Sequence, residues 1–470
     1  MAIGNNPTDS ANLLGIFKTW YTDKSPEDVF FRNSPVVKKI PKTRIGGKLY
    51  NVPLLLGNGG SASGSLIAST TNATANGSAP NVEFAISNGQ MFSTFFVTQQ
   101  EILASQNVRG AYMPVVVNRM AQGLDSFRKL AATSLYGTGF GEIGQMGASA
   151  AAVNIAAATG QIIDVVTKST VVKLSIGSVF SITNGALPSS NLRPGKCTVN
   201  KIDGTTITFT SDTAIGTTAA TDWIVLDGCR PTINSTTPLL PVGLAGWLPS
   251  FADRTGGTWT TYIGNPFFGV DRSVNVQGAA GQFIKRNSGA SEKKVDAIVR
   301  GVEAVRTAGG IPDLLVINST DYNTITGELS TQTTAFQNIN TGAKVNKNEV
   351  ARGISDMKYA FSTSWVDQVW DDPFCPQGTA YILETDTMEF ACMTNSDAPL
   401  NDGITGNNPG KEALTDVKAP EANYYWLIED YITAQPGGNT QNGPALQVIV
   451  QLYGSWVVHN PSKCAVLNIA

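Results

Sequence analysis

The 470-residue chain holds a single histidine, His459, inside the apolar run Trp456-Val457-Val458-His459-Asn460. An imidazole serves as a general base only with a nucleophile in reach and a group to orient it. Nothing nearby in the sequence supplies either, and the pattern fits a structural histidine at a strand end. The five cysteines, Cys197, Cys229, Cys375, Cys392 and Cys464, are widely scattered with no C-x-x-C pair. An odd, dispersed set reads as buried free thiols in a reducing compartment. One histidine and no paired cysteines also leave no ligand set for zinc. Sequence spacing brings no two carboxylates together as an acid/base dyad. The expectation is therefore no catalytic residue, no cofactor and no metal.

One motif points the other way. Gly139-Phe140-Gly141-Glu142-Ile143-Gly144 fits G-x-G-x-x-G letter for letter. A dinucleotide fingerprint needs a strand before it and a helix after it, so that the pyrophosphate meets the helix N-terminus. Here the motif follows a long helical pattern, so it reads as a flexible turn leading into the next domain. Four N-x-S/T triplets, beginning at Asn72, Asn76, Asn234 and Asn318, carry no meaning without secretion.

The elements that must position any site alternate between helix and strand patterns. Ser25-Pro26-Glu27-Asp28 joins a capping box to a proline at the first helical position, so a short helix is expected there. Strand-like runs at 48–56 and 82–97 enclose a middle of Gly, Ser, Ala, Thr and Asn, and no charged residue occurs from Leu49 to Val82. That layout reads as a long projecting hairpin whose uncharged tip carries the apolar pair Leu66 and Ile67. Thr98-Gln99-Gln100-Glu101 is a second capping box, opening the longest helical pattern, with apolar residues from Ile102 to Leu135 mostly three or four apart. Pro114 interrupts that pattern, and an interior proline predicts a bend.

From 161 to 228 the pattern turns to short alternating runs, with Asp203 and Gly204 as a hairpin turn between β-branched residues. This predicts a β-rich insert. A helix is expected over 292–308, a buried strand at Leu314-Leu315-Val316-Ile317, a hairpin pairing 380–383 with 388–393, and a long strand over 445–458.

Composition narrows the class further. Charged residues make up 15% of the chain and the net charge is −3, against about 25% charged in an ordinary soluble domain. A surface so poor in charge suits burial against partners. The absence of a basic excess argues against a nucleic-acid reader. No run of apolar residues is long enough for a membrane span, and Met1 to Ser10 lacks the layout of a signal peptide. The expectation is a soluble protein, not secreted by that route and without a membrane partner.

Several segments together resemble the major capsid proteins of tailed bacteriophages. They are Leu135-Tyr136-Gly137-Thr138-Gly139, Gly243-Leu244-Ala245-Gly246-Trp247-Leu248-Pro249, Phe267-Phe268-Gly269-Val270-Asp271-Arg272-Ser273, Gly310-Ile311-Pro312-Asp313 with Asn318, Asp321 and Tyr322, and Pro373-Phe374-Cys375-Pro376 with Gly378 and Tyr381-Ile382-Leu383. They fall in order along nearly the whole chain. The resemblance implies an α+β fold shared with encapsulins and herpesvirus capsid floor domains. Its parts would be an N-terminal arm (1–43), an extended hairpin called the E-loop with flanking strands (44–97), and the spine helix with the start of a peripheral domain (98–160). A β-rich insertion domain (161–240), a connecting segment (241–290), and an axial domain with the remaining peripheral strands (291–470) would follow.

The same resemblance implies a structural protein forming hexamers and pentamers of an icosahedral head around double-stranded DNA, which it does not read by sequence. Expected partners are its own copies, a portal, decoration or minor capsid proteins, and a separate scaffolding protein, since no coiled-coil propeptide precedes the arm. Its place would be the virion, after assembly in the cytoplasm of a host bacterium. Leu66 and Ile67 would be the E-loop subunit contact, and Pro114 the bend in the spine helix. Some relatives weld their shells through a lysine on this loop and an asparagine on a neighbour; the loop here has no lysine past Lys48, which implies a non-covalent shell. Two other readings remain open: an encapsulin-type nanocompartment shell, and a β-rich secreted adhesin or polysaccharide-acting enzyme.

Overall fold

The structure is a computed structural model and describes residues 35–45, 49–55, 63–76, 81–98, 115–147, 154–155, 160–164, 168–185, 190–230, 238–250, 266–287, 292–336, 366, 368–393, 427–433 and 445–470. These fall into two compact units, one within 91–129 and 395–452, the other within 32–90, 130–394 and 453–470.

In chain order the elements are α1 (Pro35–Lys39), β1 (Lys42–Ile45), β2 (Leu49–Leu55), α2 (Leu66–Asn76), β3 (Asn81–Ser87), β4 (Gly89–Thr98) and α3 (Val115–Leu135). Next come β5 (Glu142–Gln145), β6 (Asn154–Ile155), β7 (Gly160–Asp164), α4 (Lys168–Val172), β8 (Val179–Ile182), β9 (Cys197–Asp203), β10 (Thr206–Ser211), β11 (Gly216–Thr217) and β12 (Trp223–Leu226). The remainder are α5 (Leu244–Trp247), α6 (Val276–Ala280), β13 (Gln282–Lys285), α7 (Lys294–Thr307), β14 (Leu314–Ile317), α8 (Ser319–Phe336), β15 (Gln368–Asp371), β16 (Thr379–Leu383), β17 (Met388–Met393), β18 (Leu427–Thr433), β19 (Ala445–Val458) and β20 (Ala465–Asn468).

In the larger unit, an antiparallel six-stranded sheet runs β5-β12-β8-β9-β10-β7. Alternation decides its inner face. On β10, Ile207 and Phe209 are buried while the threonines between them are half-buried, as period-two side chains require. Phe209 meets Phe180 of β8 edge-on at 5.3 Å, inside a core that also takes Ile143, Ile163 and Ile224.

A second sheet runs β13-β20-β16-β14-β15. β14 is buried at every position, and α7 covers the sheet with Val295, Ile298, Val302 and Val305 against Leu315, Ile317 and Ile382. Threefold and fourfold spacing makes that stripe. Nearby, β17 pairs in parallel with β1 and antiparallel with β19, from Met388 opposite Val458 to Met393 opposite Tyr453. In the smaller unit, β18 lies antiparallel to β19, Leu427 opposite Gln451.

Four expectations need correction. The uncharged stretch between the ribbon strands is not all loop, because α2 occupies Leu66–Asn76; its threonines bond back to the helix, Thr70 Oγ1 donating to the Leu66 carbonyl at 2.8 Å. The 82–97 run is two strands, parted at Asn88. β16 and β17 do not form a hairpin but join different sheets. Asp313 explains why: its carboxylate accepts from Thr385 N at 2.7 Å and Thr385 Oγ1 at 2.5 Å, fixing the connection as a 3-10 crossover. The segment after β14, to which the sequence patterns assign no helix, is helix α8, where Asn318 Oδ1 caps the start by accepting from Thr320 N at 2.9 Å. Among the described residues, no helix is long and apolar enough to cross a membrane.

Candidate functional site

The glycine motif runs from the turn after α3 into β5, helix before and strand after, the reverse of the dinucleotide order. Its glycines answer to packing. Gly139 and Gly141 adopt φ of +93° and +72°, and a Cβ on Gly144 would fall 2.1 Å from Thr170 Oγ1. The cysteines are all free and buried. Burial pushes the thiols of Cys197 and Cys229 up to about 12 and that of Cys464 to about 11, and lifts Cys375 well above its ordinary value. None of these four offers a thiolate at neutral pH. Among the described residues, no group of three or more metal-ligating side chains comes together.

What the structure does build is a two-stranded ribbon with a seat and a root. β2 and β3 pair antiparallel from Leu49 opposite Ser87 to Leu55 opposite Asn81. Alternation turns Val52, Leu54, Phe84 and Ile86 inward. Phe84 is fully buried and meets Trp247 edge-on at 5.1 Å; Trp247 in turn meets Phe267 at 5.2 Å. Arg272, also fully buried, stacks 3.9 Å from the centre of the Phe267 ring and donates from Nη1 to the Gly246 carbonyl at 2.9 Å. A guanidinium over an aromatic face is attracted by the ring quadrupole. Thus the 243–249 and 267–273 signatures, separate in sequence, form one seat for the ribbon.

Phe268 sits at φ +47°, the only non-glycine with positive φ among the described residues, and its carbonyl accepts from Ala85 N of β3 at 2.9 Å. A bulky residue in that region is strained, so the contact with β3 is held against a backbone cost. Past the strands, α2 presents Leu66 and Ile67 at 84% and 80% exposure.

The root of the ribbon is polar. Glu389 Oε1 accepts from the Tyr50 hydroxyl at 2.8 Å and lies 3.0 Å from His459 Nε2, while Oε2 accepts from Thr43 Oγ1 at 2.8 Å. Burial alone would raise this carboxyl; the bonds from His459, Thr43 and Tyr50 outweigh it and hold it below the ordinary range. Burial and Glu389 together push the Tyr50 phenol up to about 12. His459 therefore has a carboxylate partner, and that carboxylate is shared with the Tyr50 phenol of β2 and the Thr43 hydroxyl of β1.

A second polar cluster straps the loop from Asp372 to Gly378. Asp372 Oδ1 accepts from Phe374 N at 2.9 Å and Oδ2 from the Tyr136 hydroxyl at 2.8 Å. Asn318 Nδ2 donates to the Cys375 carbonyl at 2.7 Å, and Asp321 takes Gly378 N at 2.6 Å and Lys294 Nζ at 2.5 Å. Tyr136, Asn318, Asp321, Phe374, Cys375 and Gly378, which belong to the segments that carried the family resemblance, all take part in these bonds.

Of the singled-out positions, Asp203 is the last paired residue of β9, opposite Thr206, and Gly204 opens the two-residue turn at φ +62°. Pro114 lies outside the described residues, as do both capping boxes except Thr98, the last residue of β4. Glu389 and Asp313 were not legible as site residues, because their partners stand 70 to 346 positions away.

The sequence matches no family model and no curated protein. Solved structures do match. A chain of the Cyanophage A-1(L) capsid asymmetric unit is 12% identical, with 96% of each chain covered and a TM-score of 0.54. A chain from Mycobacterium phage Bobi is 10% identical over 99% of each chain with a TM-score of 0.44. The holo-SrpI encapsulin complex from Synechococcus elongatus PCC 7942 is 9% identical, covering 100% of this chain and 96% of that one, with a TM-score of 0.42. The first likeness establishes the fold: a mixed α and β chain with the capsid-type architecture.

Proposed function

We propose that this protein is the major capsid protein of a tailed bacteriophage, assembling into hexamers and pentamers of an icosahedral head that encloses double-stranded DNA. The observation that carries the reading is the capsid-type fold, shared end to end with a phage capsid chain. The low charge content and the exposed apolar tip at Leu66 and Ile67 support it. In such a shell each copy would lay its ribbon on a neighbour, and many modest contacts would add to a durable whole. The net charge of −3 suits a wall that contains DNA without gripping its phosphates. A scaffold and a portal are the partners this reading calls for, and the six-stranded sheet would brace the subunit.

The test is electron microscopy of the full-length protein expressed with a scaffold, followed by nuclease treatment of particles from infected cells. Closed shells with hexameric and pentameric capsomers around nuclease-resistant DNA are expected. A protein that stays monomeric under all salt and crowding conditions overturns the reading, and shells filled with enzyme instead of DNA replace it with a nanocompartment.

A further inference from the structure

Residues 35–45 lie across the place where the chain passes from one sheet to the other. The crossover is 384–387, between β16 of the five-stranded sheet and β17 of the neighbouring sheet. Val36 and Val37 of α1 and Ile40 just after it are almost completely buried, so this segment is seated and not draped. Two carboxylates then pin it. Asp313 accepts from Lys39 Nζ at 2.7 Å with the same carboxyl group that holds Thr385 N and Oγ1. Lys39 also donates to Gln368 Oε1 at 3.3 Å and lies 5.4 Å from the Trp370 ring centre. Further along, β1 pairs with β17, and Glu389 accepts from Thr43.

The pins share a feature that simple docking does not need. Each carboxylate bonds the 35–45 segment and, at once, a residue that holds the crossover: Asp313 takes Thr385 within it, and Glu389 takes His459, whose backbone N donates to the Thr387 carbonyl at 2.8 Å. A carboxyl group is planar and turns as a unit, so freeing one of its partners lets it leave the other. Bonds to a charged, half-buried carboxylate are stronger than neutral ones and geometrically stricter.

We infer that residues 35–45 act as a strap that locks the seam between the two sheets, and that undocking the strap frees the 384–387 crossover. With the strap seated, the crossover is held directly by Asp313 and, through His459, by Glu389. With it gone, each carboxylate keeps only framework partners, and the crossover becomes a point of local opening. This does not depend on the shell reading, since it concerns the isolated subunit.

Hydrogen exchange on the full-length subunit tests it, comparing the native chain with the Lys39→Met, Thr43→Val double variant. Both replacements stay close to the native side-chain size and remove the bonds to the two carboxylates, along with the long Lys39 bond to Gln368 and its cation contact with Trp370. Amides of 384–387 and 388–393 are expected to exchange at least about 10-fold faster, the effect of losing roughly 1.4 kcal/mol of local protection, while those of α7 keep their rate. Lys39→Arg with Thr43 intact restores slow exchange, because the cation is retained. A double variant whose 35–45 amides exchange freely while the crossover keeps its rate overturns the inference. So does a uniform acceleration that includes α7, which would mean the pins serve global stability and not the seam.

Discussion

The Tyr136 hydroxyl donates to Asp372 Oδ2 over 2.8 Å, both side chains buried and 236 positions apart. It ties the turn after α3 to the loop after β15, and the Tyr136 ring lies 6.0 Å from Tyr381 on β16. Replacing Tyr136 with phenylalanine keeps the ring and removes only the donor to a buried carboxylate. The expected cost is about 2 kcal/mol, read as a lower urea midpoint with an unchanged slope. A shift indistinguishable from zero would mean the bond is not formed.

Two glycines are predicted to respond very differently to the same methyl group. A Cβ on Gly243 would fall 2.1 Å from the Ser134 carbonyl oxygen and 2.2 Å from that of Leu135, both backbone atoms that cannot turn aside. Gly243→Ala is expected to cost more than about 3 kcal/mol and to leave little folded protein. At Gly204 nothing lies within 4 Å and only the φ of +62° resists, so Gly204→Ala should cost about 1 kcal/mol. Equal losses in thermal unfolding would contradict this.

Acid should loosen the two pinned carboxylates. For Asp313, burial pushes the carboxyl up, but bonds from Lys39 and Thr385 outweigh it and hold it below the ordinary range; Glu389 behaves alike. A carboxyl depressed in the folded state adds stability above its unfolded value, near pH 4, and that stability fades as pH falls through the folded value. Urea midpoints measured from pH 6 down to pH 3 should therefore fall more steeply for the native chain than for Asp313→Asn or Glu389→Gln. Parallel curves would show that neither group is linked to folding.

How much of this was readable beforehand depends on distance along the chain. The α7 stripe, the β9–β10 turn and the long β19 follow from periodicity within a dozen residues, and the sequence patterns of those segments point straight to them. α8 hid because its threonines favour strands and its cap, Asn318, is a single residue. β5 hid inside the glycine motif, being four residues long. The ribbon seat at Trp247, Phe267 and Arg272 was visible only as family signatures, since no local rule brings residues twenty positions apart under Phe84. Glu389 left no trace in the sequence for the same reason.

Lys42 is predicted to be an unusually reactive amine. Burial pulls its pKa down to about 8, and Nζ donates to the Val37 carbonyl at 2.9 Å. The unfolded chain, with a lysine near 10.4, then holds more protons than the folded one between about pH 8 and 10. Stability contributed by this group therefore rises with pH across that window, and Lys42→Met should remove the rise. Brief treatment of the folded subunit with an amine-acylating reagent at pH 8, followed by peptide mass mapping, should mark Lys42 ahead of exposed lysines such as Lys201. Labelling in order of exposure alone would refute it.

The tip of the ribbon gives the sharpest separation between folding and assembly. Leu66 and Ile67 are exposed at 84% and 80%, so aspartate at both positions removes no contact within the subunit and should leave its unfolding midpoint within about 0.5 kcal/mol of the native value. In a shell the same positions would pack on a neighbouring copy, and burying two unpaired carboxylates there is prohibitive. The Leu66→Asp, Ile67→Asp variant should fold normally, fail to form closed particles alone, and co-assemble poorly with native subunits. From Leu49 to Val82 the chain carries no lysine, so the ribbon tip has no amine with which to form an isopeptide bond to a neighbour. Native particles boiled with reductant should then run as a single band near 49.6 kDa. A ladder of covalent oligomers, or normal particles from the aspartate variant, would show that the shell is held together elsewhere.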